Sequence, residues 1–396
     1  MLTNTKNIFV RPSVRYNNDS TEAFFLLVTA GLFGRTEEAE RLLQPGVDWA
    51  EVYQLAKEQS VVGLATGGIE TLLRDTHPDN DIRIVPKEWA KKFASATMRL
   101  EQRNMNMNRF IAQLSGRMKK RGIHALLLKG QGVAQCYEKP LWRTCGDVDL
   151  LVWGDNYQNA KEFLRPYASH CGKEHPYKKH FGMTVGGWTV ELHGNLRCGY
   201  SARIDKVLDN ICAEVFSSAS FSGGKVTSWM DEGIEVPILG REDNVLYVFV
   251  HFMNHFYKGG VGIRQICDWC RLLWTHRDAL DRGMLESRLK AMGLMSEWRA
   301  FGAYAVEYLG MPREAMPFYA DDERWRRKAR HIQQFILMTG NMGHNRSVDH
   351  NKLPFLKRKL KSTSQRIGDL ANHMRIFPLD TVKFLPSIFM TGLRQK

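Results

Sequence analysis

Leu127-Leu128-Lys129-Gly130-Gln131-Gly132 and, soon after it, Gly146-Asp147-Val148-Asp149-Leu150-Leu151-Val152 carry the pattern on which the fold turns. The first closes a short apolar run, Ile123 to Leu128, bounded by Gly122 and Gly130, which is the mark of a buried strand. The second predicts another strand, Asp147 to Val152. Alternate strand residues share a face, so Asp147 and Asp149 project side by side. Two such carboxylates repel and are expensive to desolvate, and a divalent cation resolves both problems. Mg²⁺ suits the pattern, because it takes one or two carboxylates and completes its shell with water and phosphate oxygens. Gly130 lets backbone approach a phosphate closely, and amides at a helix start donate to it. A strand, a glycine turn and an Asp-x-Asp strand therefore predict metal-assisted attack on a nucleotide phosphate. The two-metal scheme asks for a third carboxylate. Glu191 in Trp188-Thr189-Val190-Glu191-Leu192-His193 supplies it, with His193 alternating onto the same face.

Around this centre strands and helices mix. Asn156 to Tyr167 reads as a helix, and His180 to Val185 and Trp188 to His193 read as strands joined by the hairpin dipeptide Gly186-Gly187. Ile234 to Leu239 adds a last strand. Residues 122–240 thus predict an α+β domain between helical regions over 1–121 and 241–396. In the first region Asp19-Ser20-Thr21-Glu22 reads as a capping box before Ala23 to Val28. A second helix is expected through Glu37, Leu42 and Leu43, a third from an Asp48 N-cap, and a long one from Pro86 to about Arg121. In the last region Asp243 to Tyr257, Arg264 to His276 and Leu285 to Leu309 have helical spacing.

Four separated elements in order resemble the bacterial uncharacterised nucleotidyltransferases of the DNA polymerase β-like superfamily. They are Leu128-Lys129-Gly130, Arg143, Asp147-Val148-Asp149 and Glu191-Leu192-His193. The flanks are similar too, in Val47-Asp48-Trp49 and in the helices carrying His251, Arg264 and Asp268. The resemblance implies a nucleotidyltransferase-type mixed sheet flanked by helices. It implies two Mg²⁺ ions on Asp147 and Asp149, with Glu191 placing the second ion or deprotonating the acceptor hydroxyl. It also implies transfer of a nucleoside monophosphate from an NTP, ATP among them, with release of pyrophosphate. Lys129, Gly130, Gln131, Arg143 and His193 are the nucleotide-side candidates. Gln131 stands where the superfamily usually has Gly or Ser. Arg143 has pairing with an acidic neighbour as its other reading, and His193 a hydrogen bond to a carboxylate.

The 396 residues suggest two or three domains at roughly 150 residues each. With 43% hydrophobic and 25% charged residues the chain is not a disordered one. Net charge is +14, and residues 322–396 hold 16 Lys and Arg against 5 Asp and Glu, so most of the excess sits in that tail. Basic clusters at Arg324 to Arg330 and Lys357 to Lys361 stand beside Trp325, Phe355, Phe377, Phe384 and Phe389. They read as a solvated helix face, a nucleic-acid patch or, near Phe384 to Met390, a contact with an anionic membrane surface. No apolar run predicts a signal peptide or a spanning helix, and seven scattered cysteines suit reduced thiols in a cytoplasm. Cys267-Asp268-Trp269-Cys270 is a single CxxC amid aromatics that, with His251 and His255, reads as helix packing. Met105 and Met107 read the same way. The acceptor is left open among nucleic acid, protein and small molecule. The alternative function is a non-catalytic module of this fold, binding RNA or another polyanion through the basic tail.

Overall fold

A computed structural model describes residues 16–37, 42, 46–75, 85–217, 225–258, 260–340 and 368–384. Helix α1 (Asn18–Phe33) is capped by Asn17, whose side chain accepts from the Ser20 amide at 2.6 Å. The expected capping box at Asp19 to Glu22 lies inside the helix instead, because Asn17 already satisfies the orphan amide. The helix expected through Glu37, Leu42 and Leu43 falls largely outside the described residues. Asp48 caps α2 (Trp49–Glu58) as expected, accepting from the Ala50 amide at 2.8 Å. Next come α3 (Val62–Asp75) and α4 (Lys87–Lys120), the latter entered from Pro86. Helices α1 and α3 meet through glycines. A Cβ on Gly68 would fall on the Leu27 carbonyl oxygen, and one on Gly31 on that of Leu64. Neither carbonyl can retreat without breaking its helix, so glycine is required at both positions.

Among the described residues seven strands form one mixed sheet. They are β1 (Leu126–Leu128), β2 (Asp147–Leu151), β3 (Ala168–Cys171), β4 (His180–Val185), β5 (Trp188–His193), β6 (Val226–Asp231) and β7 (Ile234–Leu239). Their order is β3-β4-β5-β2-β1-β7-β6. The β2–β5 and β1–β7 pairs are parallel and the other neighbours antiparallel. Gly186 and Gly187, at φ 58° and 83°, turn β4 into β5 as their sequence predicts. Strands β3 and β6, which the sequence did not suggest, are the two edges. Their residues are mostly exposed, so no apolar alternation marked them.

Three helices interleave with the strands: α5 (Gly130–Ala134), α6 (Asp155–Leu164) and α7 (Ala202–Ser217). One sheet face, with Leu127, Val148, Leu150, Val190 and Leu192, is covered by Met107, Ile111, Leu114 and Met118 of α4 and by Tyr157, Ala160 and Leu164 of α6. On the other face Leu126, Leu128 and Leu151 join a core that runs through the remaining helices. These include α8 (Arg241–Lys258), α9 (Ile263–His276), α10 (Arg282–Met292), α11 (Met295–Leu309) and α12 (Glu323–Thr339), with two short helices over 368–376 and 378–384. The single helix expected over 285–309 is two, because Gly293 at φ 75° ends α10 in the left-handed conformation. Phe249, Phe252, Trp269, Trp298 and Phe301 knit α8, α9 and α11 with ring centroids 4.7–5.7 Å apart. The fold is α+β, a mixed sheet flanked by helices, as expected. All seven cysteines are free, and no helix among the described residues is long and apolar enough to cross a membrane.

The glycine contact gives a test. Gly68→Ala is expected to lower stability by about 1–3 kcal/mol through overpacking. At Gly67 a Cβ would meet nothing within 4 Å, so Gly67→Ala is expected to be neutral or stabilising by up to about 1 kcal/mol. Denaturant midpoints of the two variants measure the contrast, and equal midpoints would contradict it.

Candidate active site

Parallel pairing sets Asp149 opposite Glu191, Asp147 opposite Thr189 and Leu151 opposite His193. Val148, Leu150, Val190 and Leu192 turn into the α4 side, so Asp147, Asp149, Glu191 and His193 all face the other way. Oxygens of the three carboxylates lie within 4.8 Å of one another. Above them is a cavity of about 370 Å³, roofed by α8 and α9. The structure thus brings together the three acids that the sequence singled out.

Lys129 stands at the end of β1, whose last residue pairs with Asp149 across the sheet. Its backbone, at φ 50° and ψ −144°, is one that non-glycine residues rarely adopt, and such strain clusters at functional sites. From there Nζ lies 3.1 Å from Asp149 Oδ1 and 3.4 Å from His251 Nε2. His193 Nε2 lies 2.8 Å from the same Oδ1. Asp149 is 1% exposed, and its Oδ2 is buried with no hydrogen-bond partner. Burial pushes the Asp149 carboxyl up, but Lys129 and His193 outweigh it and hold the group below the usual carboxylate range. Asp147 is raised, first by the charge of Asp149 and then by burial. Burial opposes a charged Lys129, yet Asp149 raises it above the ordinary lysine value.

On the roof His251 and His255 face each other, Nε2 to Nε2 at 3.1 Å. Burial, then the cation of Lys129, holds His251 well below the usual histidine value and His255 down to about 3. Both rings are therefore neutral near pH 7, one donating to the other. At one side of the cavity Arg143 grips Asp268 of α9, Nε to Oδ1 at 3.0 Å and Nη2 to Oδ2 at 2.5 Å, and Tyr137 donates to Oδ1 at 2.8 Å. The pairing that the sequence allowed for Arg143 is present. Its Nη1 is buried without a partner, as is Nε of Arg264, which donates from Nη1 to the Thr144 carbonyl at 2.9 Å. Both arginines line the cavity.

Gly130 also lines the cavity, at φ 46°. Gln131 does not. Its side chain donates toward Met107 Sδ at 3.7 Å and is 1% exposed, because α5 turns it under α4. The Gln131 side chain thus packs under α4, away from the cavity that its nucleotide-side reading would have it face. Sequence reasoning missed the cavity walls at Tyr247, Asn254, Lys178, Asn195 and Arg197. A signal was present for α8: Tyr247, His251, Asn254 and His255 recur at helical spacing as a polar stripe on an otherwise apolar helix. Cys267 and Cys270 are fully buried among aromatics, as packing requires. In the basic tail Arg326 and Arg330 pair with Asp321 and Glu323, while Arg324 and Lys328 lie over the Trp325 ring. Lys357 to Lys361, Phe355, Phe389 and the stretch after Phe384 fall outside the described residues.

Neither curated proteins nor solved structures match the chain. A family described as "Uncharacterised nucleotidyltransferase" matches residues 45–310, a span that runs from before α2 to the end of α11 and takes in the whole sheet and cavity. By that match the chain belongs to the uncharacterised nucleotidyltransferase family.

Proposed function

We propose that the protein is a divalent-metal-dependent enzyme that moves a nucleoside monophosphate from an NTP to an acceptor hydroxyl, releasing pyrophosphate. One observation carries the reading: three carboxylates converge within 4.8 Å beside a cavity, and one of their oxygens, Asp149 Oδ2, is buried without a partner. A buried unpaired carboxylate oxygen in an all-oxygen donor set fits a hard cation. Asp147, Asp149 and Glu191 would hold the metal, with Mg²⁺ as first choice and two ions in the complete site. Bound there, the cation supplies charge stabilisation at the α-phosphate and the leaving pyrophosphate.

The rest falls to the chain's own side chains. Lys129 and His193 fix the Asp149 carboxylate through its other oxygen. Arg143 Nη1 and Arg264 Nε, unpartnered at the cavity wall, donate to phosphate oxygens. Glu191 is kept in place by His180 Nε2 at 2.9 Å, and the proton of the acceptor hydroxyl leaves to water in the cavity. The acceptor oxygen then bonds to the α-phosphorus, and the bond to the bridging oxygen of pyrophosphate breaks. The acceptor enters under α8, where neutral His251 and His255 offer a polar wall without added charge. Free thiols throughout support a reducing compartment such as the cytoplasm.

Incubation with Mg²⁺, α-labelled NTPs and a cell extract tests the activity. Asp149→Asn is expected to cut label transfer by at least about 100-fold. Equal signal in both proteins, or NTP affinity indifferent to Mg²⁺, would favour the non-catalytic polyanion-binding module instead. Stability gives a second test with a definite sign. Asp147 has a raised folded-state pKa, so its ionised form destabilises the fold and that cost is fully present at neutral pH. In chelator, Asp147→Asn is therefore expected to melt at or above the parent temperature. Added Mg²⁺ should raise the parent's melting point and leave the variant nearly unmoved. A variant that melts lower in chelator and still responds fully to Mg²⁺ contradicts the assignment.

A further inference from the structure

We infer that Glu191 also belongs to a second cation position of different chemistry, formed by His180, Glu191 and His193 and selective for a first-row transition ion of the Zn²⁺ class. This goes beyond the transfer reading: of the carboxylate ligands it shares only Glu191, and it draws on the two histidines that otherwise orient Glu191 and Asp149. Strands β4 and β5 pair antiparallel with His180 opposite His193 and Gly182 opposite Glu191. Phe181, Met183 and Val185 turn to the α4 side, so His180 necessarily faces the cavity with Glu191 and His193. His180 Nε2 lies 2.9 Å and His193 Nε2 3.8 Å from Glu191 Oε2, and the three ligand atoms all fall within 4.8 Å.

Two further observations point to a ligand there. The β4 residue directly opposite Glu191 is Gly182, and a Cβ on it would meet nothing within 4 Å, so the space beside the carboxylate is open. All three side chains also line the cavity, which leaves a coordination position free for substrate or water. His180 bonds Glu191 and His193 bonds Asp149, but the two imidazoles stand side by side with ring centroids 4.9 Å apart, so His193 Nε2 reaches an ion beside Glu191 by exchanging its bond to Asp149 for it. Two histidine nitrogens and one glutamate oxygen, with an open position, make the donor set of a catalytic zinc site. Imidazole suits Zn²⁺ and its neighbours, whereas Mg²⁺ demands oxygen. Glu191 then bridges a hard oxygen site and a borderline nitrogen site, and the paired ions of this centre need not be the same element.

Co²⁺, which adopts zinc-like geometry and absorbs in the visible, is the probe, titrated into the metal-stripped full chain. Saturable bands are expected that Zn²⁺ displaces and excess Mg²⁺ does not. In His180→Gln the Co²⁺ affinity should fall by more than about tenfold, and by clearly more than the Mg²⁺ affinity read from the thermal shift. Asp147→Asn should do the reverse, keeping Co²⁺ binding and losing the Mg²⁺ shift. Superimposable Co²⁺ titrations of the parent and a folded His180→Gln would overturn the inference, and so would displacement of Co²⁺ by Mg²⁺. Label transfer by the parent with Mg²⁺ alone reads out the transferase proposal separately, so failure of one is not failure of the other.

Discussion

Mutual repulsion among Asp147, Asp149 and Glu191 is the constraint around which the centre of this molecule is arranged. Parallel pairing of β2 with β5 forces the three acids together, and everything near them answers that charge. Lys129 takes up an awkward backbone to bring an ammonium to Asp149. His193 reaches the same oxygen from the neighbouring strand. The arginines stand one layer further out, one of them tied to Asp268. The balance is incomplete at Asp149 Oδ2, which is buried without a partner.

The centre of the sheet was legible in the sequence because its strands are apolar runs interrupted by acids in an alternating pattern. The β4–β5 hairpin was legible through Gly186-Gly187. Edge strands β3 and β6 were not, since an exposed edge carries no apolar alternation. The break at Gly293 was hidden by apolar spacing that runs on through it. Helix α7 went unassigned although Ile204, Leu208, Ile211 and Val215 carry a helical period. Among site residues, the acids followed from strand alternation alone. Gln131 did not follow, because whether a residue just after a strand faces a ligand or a helix depends on where α4 lies. The roof was opaque for the same reason: no local pattern says which helix will cross above a strand more than a hundred residues earlier.

Most of the positive excess of the chain lies in residues 322–396, and none of the described ones among them lines the cavity. The described part of its basic tail is largely engaged, by Asp321 and Glu323 or by aromatic rings. The cavity itself is lined by the three converging acids and by Arg143 and Arg264, and net charge is a poor guide to such a local arrangement.

Helix α4 has a consequence of its own. It is 34 residues long, about 51 Å at 1.5 Å per residue. Its first half packs on α2 and α3 and its second half on the sheet. Each residue added to a helix turns everything beyond it by about 100°. Inserting or deleting one residue in its middle would therefore point Ile111, Leu114 and Met118 away from the strands while Phe93 and Thr97 stayed in place. The helix is a phase-locked shaft. Its length in residues is held to whole turns even where its exposed side chains are free to vary.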